Sequence, residues 1–160
     1  MRALSLRRMW GKDMDLIEQL RRDEGVRYVP YQDTRGFWTC GVGRKLTSEY
    51  LGPDGNPLSM DPVSDEQVNQ WLQADILTVQ NGLAPYHWYQ IQDEARRGAC
   101  ENMAFNLGVH GLLHFPHFIA ALDMRDWETA SEEMADSEWA KQVGDRAKRL
   151  EMQILTGIWQ

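Results

Sequence analysis

Residues 24–45 read EGVRYVPYQDTRGFWTCGVGRK, and the local signals here differ from those in the rest of the chain. Just upstream, Asp15 to Arg22 carries Leu16, Ile17 and Leu20 on one face, the pattern of a short amphipathic helix. Gly25 suits the left-handed turn that ends such a helix. Within the stretch, Asp33-Thr34-Arg35-Gly36 reads as a turn, and Phe37-Trp38-Thr39-Cys40 is β-prone. Gly41 and Gly43 break regular structure or let other groups approach the backbone closely. Val26 to Lys45 is therefore expected to form a small antiparallel sheet.

Downstream the periodicity changes. Gly52-Pro53-Asp54-Gly55-Asn56-Pro57 is a loop. A long helix is expected from Ser64, with Gln67 as a capping-box partner and an apolar stripe through Val68, Trp71, Leu72, Ile76, Val79 and Leu83. Pro85 stops it. Helical patterns then cover Gln90 to Leu107, Phe115 to Asp123, Trp127 to Met134, Glu138 to Gln142 and Asp145 to Thr156, with Gly108 and Gly111 as punctuation. Helix, small sheet, long helix and helical bundle make an α+β fold whose sheet is confined to the N-terminal lobe. The expected organisation is a single domain over 1–160: an extension over 1–13, a β-containing lobe over 14–63, a connecting helix over 64–84 and a helical lobe over 85–160.

The chain has 160 residues and a net charge of −7, unevenly spread. Residues 1–45 carry ten Lys/Arg against six Asp/Glu, while residues 46–160 carry seven against eighteen. Nucleic-acid binding calls for a broad basic surface, and this distribution argues against it. The two cysteines, Cys40 and Cys100, lie in apolar surroundings and read as small core residues rather than a bridge. His110, His114 and His117 lie close together in sequence, but no ligand spacing joins them, so no metal site is expected. The first twelve residues include Arg2, Arg7, Arg8 and Lys12 and no long apolar run, so neither a secretory signal nor a membrane anchor is expected. The expected location is the cytoplasm of the producing cell.

Glu24 breaks two local rules. It falls four residues after Leu20 and seven after Ile17, on the apolar face of the first helix, and it sits at the end where the macrodipole disfavours negative charge. Both effects favour a protonated carboxyl, which is what a general acid needs. A frayed helix end with Glu24 in water explains the same residues equally well. Asp33 is an ordinary turn residue by itself. Paired with Glu24 across a hairpin, it could supply the second carboxylate of a glycosidic cleavage, in which one protonates the leaving oxygen and the other activates water or attacks. Thr39 on the next strand could help hold a water beside Asp33, although a β-branched strand residue needs no such role.

These residues resemble glycoside hydrolase family 24, the phage lysozymes of the T-even type. Asp23-Glu24-Gly25, Tyr31-Gln32-Asp33-Thr34 and Gly36-Phe37-Trp38-Thr39-Cys40-Gly41-Val42-Gly43 follow that family's Glu, Asp and Thr spacing. Asn102-Met103-Ala104-Phe105, Ser137-Glu138-Trp139, Arg146-Ala147-Lys148-Arg149 and Thr156-Gly157-Ile158-Trp159 recur downstream in order, so the similarity covers roughly residues 14–159. The resemblance implies a muramidase that cleaves the β-1,4 bond between N-acetylmuramic acid and N-acetylglucosamine with inversion and without a cofactor. Glu24 would be the acid, with Asp33 and Thr39 placing the water. Inverting geometry wants carboxyls roughly 6.5–9.5 Å apart. Arg146 matches the family's arginine near the acid, and its charge would oppose a raised Glu24 pKa. Phe105 matches a cleft aromatic. The resemblance further implies an endolysin, a monomer that waits in the host cytoplasm for a holin and then acts on peptidoglycan in the periplasm or cell wall.

Several positions depart from the family pattern. Arg44 stands where the family usually has His, in the position that pairs with an acid on the long helix. Asp75 falls there and interrupts the apolar stripe, so an Arg44–Asp75 ion pair is expected. Lys45 replaces an apolar cleft residue, and Asn106 is one methylene shorter than the usual Gln. Lys45, Phe105, Asn106 and Arg146 are the expected substrate-binding residues. Two other readings remain: a lytic transglycosylase, against which Asp33 speaks, and a silent glycan-binding module, against which the presence of all three catalytic-type residues speaks.

Overall fold

The computed structural model describes residues 16–160. The expected extension over 1–13 and the start of the first helix lie outside the described residues. Two compact units emerge, Ile17–Asp75 and, with Leu16, Ile76–Gln160.

In the first unit, helix α1 (residues 16–24) ends at Gly25, whose φ of +74° only glycine adopts freely and whose N–H donates to the Arg21 carbonyl at 3.1 Å. Strands β1 (Arg27–Gln32), β2 (Trp38–Gly41) and β3 (Arg44–Lys45) form an antiparallel sheet in the order β1-β2-β3. Arg27 pairs with Gly41 and Tyr31 with Thr39, so β1 is bulged between them. Pro30 lies in that bulge, where its missing N–H costs the ladder nothing. The displaced carbonyls find other donors. The Cys40 thiol reaches those of Arg27 and Tyr28, both at 3.5 Å, and the Val63 N–H reaches Tyr28 at 2.8 Å.

Helix α2 (Asp65–Leu83) starts after Ser64, whose Oγ accepts the Gln67 N–H at 3.0 Å. Its first half packs on β2 so closely that a Cβ on Gly41 would sit 3.4 Å from Trp71 and 3.7 Å from Val68. Polar ties fasten the edges. Arg21 donates to Asp65 at 2.7 Å and to Asn69 at 2.8 Å, and the Tyr28 hydroxyl donates to Asp65 at 2.7 Å. The expected Arg44–Asp75 pair is present, Nη1 to Oδ1 at 2.7 Å, and the same nitrogen reaches the Trp71 carbonyl at 3.3 Å.

The second unit is helical: the end of α2, then α3 (His87–Gln90), α4 (Glu94–Leu107), α5 (Val109–Leu112), α6 (Pro116–Asp123), α7 (Trp127–Ala135), α8 (Glu138–Val143) and α9 (Asp145–Thr156). The single helix expected over Gln90 to Leu107 is replaced by two elements. Asp93 caps α4, accepting the Arg96 N–H at 3.0 Å, and so starts a new helix four residues later than expected. Helix α5 was not expected, because Gly108 and Gly111 read as breakers; Gly108, at φ +78°, instead turns the chain into it. Nine of the fourteen α4 residues are buried, which makes it the axis of the unit. Cys40 and Cys100 are both buried and unbridged. Among the described residues, no helix is long and apolar enough to cross a membrane.

Candidate active site

The Asp33 turn is closed by hydrogen bonds in both directions. The Asp33 N–H donates to the Phe37 carbonyl at 2.9 Å, and the Gly36 N–H donates to the Asp33 carbonyl at 2.9 Å. The carboxylate is held as well: Oδ1 accepts the N–H groups of Arg35 at 2.8 Å and Phe37 at 2.9 Å. These bonds favour the charged form. The Phe37 N–H is the strongest influence, the Arg35 N–H and the charges of Lys45 and Arg35 add to it, and together they hold the Asp33 carboxyl below its usual range.

Thr39 lies on the central strand, 3% exposed, and its hydroxyl donates to the Phe37 carbonyl at 3.0 Å. One carbonyl thus receives both the Asp33 backbone and the Thr39 side chain. Lys45 is the strand partner of Thr39, and its ammonium sits 4.1 Å from the centroid of the Phe37 ring. Asp33, Thr39 and Lys45 are gathered around Phe37, a residue that sequence reasoning did not single out. Its two contributions come from backbone groups and an exposed ring, neither of which residue type announces. Glu24 is the last residue of α1, half-buried, directly before the Gly25 turn that leads into β1. Strand β1, with its bulge, separates Glu24 from Asp33.

The other expected site residues lie in the helical unit. Phe105 and Asn106 occupy the last turn of α4, half-buried and exposed respectively. Asn106 accepts the Trp139 indole N–H at 2.9 Å through Oδ1. Arg146, in the first turn of α9, is 6% exposed. Its Nε donates to the Asn102 side chain at 2.9 Å and its Nη2 to the Asn102 carbonyl at 3.3 Å. Asn102 and Asn106 are one turn apart on the same face of α4.

A protein-family model described as phage lysozyme matches residues 21–154, which takes in every candidate site residue. The chain belongs to the phage lysozyme family. Lysozymes are glycoside hydrolases that degrade peptidoglycan. Among curated proteins, the chain is 33% identical over 165 residues to the pre-baseplate central spike protein Gp5 of Enterobacteria phage T4, a match covering 91% of this chain and 28% of that protein. Two probable T4-type lysozymes of Dictyostelium discoideum are 25% and 24% identical. These matches cover 88% and 89% of this chain, and 93% and 94% of those proteins. The chain thus spans under a third of the first relative and nearly all of the other two.

Proposed function

We propose that this phage lysozyme family member hydrolyses peptidoglycan at the β-1,4 bond between N-acetylmuramic acid and N-acetylglucosamine, with inversion at the anomeric carbon. Glu24 protonates the bridging oxygen, and Asp33 acts as the base for a water that attacks the opposite face of the ring. Thr39 positions that water. The Phe37 carbonyl, taking both the Asp33 N–H and the Thr39 hydroxyl, carries this reading most directly. It ties together the two groups the mechanism needs beside one water, and both bonds to the Asp33 carboxylate fall on Oδ1, leaving Oδ2 for the incoming proton. Lys45, Phe105, Asn106 and Arg146 are the proposed substrate contacts.

Clearing of a bacterial wall suspension, followed by product mass, tests the proposal. Glu24→Gln should lower the rate by about 10²–10⁴-fold while leaving the fold intact. Products should carry a reducing-end sugar. A 1,6-anhydro ring would instead mean transglycosylation, and full activity in Glu24→Gln would remove the assigned acid.

The biological setting is proposed as host lysis by a monomeric endolysin that depends on a holin for release from the cytoplasm. The first relative supports a second setting, since its name places it in a central spike before baseplate assembly. If the chain is found in purified virions rather than free in lysates, the second setting replaces the first without altering the chemistry.

A further inference from the structure

Residues Cys40 and Thr39 are neighbours on β2, so their side chains emerge on opposite faces of the sheet. Thr39 belongs to the candidate active site. On the reverse face, Cys40 lines a half-open cavity of about 270 Å³ within the Ile17–Asp75 unit. Its walls are mainly apolar and include Leu46, Leu58 and Trp71. Two carboxylate residues, Glu49 and Asp61, also line it, and neither forms an ion pair with a described residue. Arg44, whose guanidinium lies 5.8 Å from the Trp71 ring centroid, is matched by Asp75. The cavity therefore presents a hydrocarbon-lined interior with net negative charge along its lining.

We propose that this cavity is a second binding site, separate from the glycan-cleaving centre, and that it takes a small primary alkylammonium ion. The alkyl chain is received by Leu46, Leu58 and Trp71, whose apolar groups line the cavity. The ammonium is received by Glu49 and Asp61, and charge complementarity selects an amine over an alcohol or an acid of the same length. A carboxylate ligand would add a third negative charge.

Trp71 supplies a local reporter, since its indole N–H donates to the Tyr50 hydroxyl at 3.3 Å and Tyr50 also lines the cavity. The probes are n-hexylamine, n-hexanol and sodium hexanoate, titrated into the full chain at neutral pH. The indole N–H resonance of Trp71, assigned by its loss in Trp71→Phe, reports binding. Hexylammonium should shift this resonance saturably and bind at least about tenfold more tightly than hexanol, the worth of one screened charge contact. Hexanoate should bind most weakly. In the surface double variant Glu49→Gln/Asp61→Asn, whose folding is checked by its melting curve, hexylammonium should fall to the level of hexanol while hexanol binding is unchanged. Glu24→Gln should bind all three probes as the unaltered chain does, which keeps this site distinct from the catalytic reading. Equal binding of amine and alcohol, an amine preference that survives the double variant, or an unmoved Trp71 resonance with every probe would each overturn the proposal.

Discussion

The unit Ile76–Gln160 and the unit Ile17–Asp75 differ most in how much apolar surface they bury. In the helical unit a continuous apolar core, including Leu83, Met103, Leu112, Phe118, Met134, Leu150 and Ile154, surrounds α4. Several polar groups inside it bond to backbone carbonyls. Gln153 donates to the Ala95 carbonyl, Gln92 to those of Trp88 and Leu122, and Arg96 to those of Ile154 and Leu155. Arg96 thereby caps the C-terminal end of α9 with a cation, where the helix dipole favours one, and its guanidinium stacks 3.5 Å from the Trp127 ring. The sheet-bearing unit buries fewer apolar side chains, and its charged groups meet in pairs near the surface. Stability in the first comes mainly from area removed from water, whereas in the second it depends on individual contacts. The two carboxylates proposed to act in catalysis lie in the sheet-bearing unit, where a single N–H or cation can shift a proton affinity.

The largest effect that would sharpen this contrast is expected at Phe118, 1% exposed on α6. Phe118→Ala removes a buried ring and leaves a cavity that surrounding helices close only partly, a loss of about 3–5 kcal/mol in urea unfolding. Its activity per folded molecule should be nearly unchanged. A loss below about 1 kcal/mol would mean that the helical unit is not the burial-dominated one.

Much of this division could be read from the amino acids alone. Gly25, the Asp33 turn, the β-prone run before Cys40 and the Ser64 start each combine a residue type with a local consequence, and each appears where the pattern placed it. Arg44 and Asp75 were legible because a carboxylate interrupting an apolar stripe needs a partner. The break before α4 was hidden because the apolar spacing continues across Ile91–Asp93, and only the Asp93 cap divides it. The role of Phe37 was invisible for a different reason. Its N–H and carbonyl organise Asp33 and Thr39, and every residue but proline has both groups.

The Arg44–Asp75 pair offers an intermediate test. Burial raises the Asp75 carboxyl above its usual range, and the nearby Arg44 charge opposes this without cancelling it. The native state therefore keeps its proton to a higher pH than the unfolded chain does. Between the ordinary carboxylate value and the raised one, stability falls as pH rises. Arg44→Ala removes the opposing charge, widens that window upward and should cost about 1 kcal/mol at neutral pH, limited by the partial exposure of both side chains. In mildly acid solution, where Asp75 is protonated, the cost should nearly vanish. Asp75→Asn should remove the pH slope and cost about 0.5 kcal/mol or less. Equal losses for the two variants at all pH values would show that the pair acts through packing rather than charge.

The smallest effect is expected at Lys45, where the two kinds of control over a carboxylate can be separated. Asp33 is held below its usual range first by the Phe37 N–H, with Lys45 a lesser contributor. A depressed carboxyl adds stability above its unfolded value and loses it as pH falls through the folded one. The same titration should set the acid limb of kcat/KM if Asp33 is the base. Lys45→Met removes one cation and leaves both N–H bonds, so the acid limb should move to higher pH by only a small step. Lys45→Arg keeps the charge over Phe37 and should restore the original limb. Because Lys45 is exposed, the difference between Lys45→Met and the unaltered chain should shrink as salt is added. An acid limb that stays fixed in Lys45→Met would leave Phe37 and Arg35 as the effective controls. One that moved to lower pH would mean that Asp33 is not the group whose ionisation limits the rate.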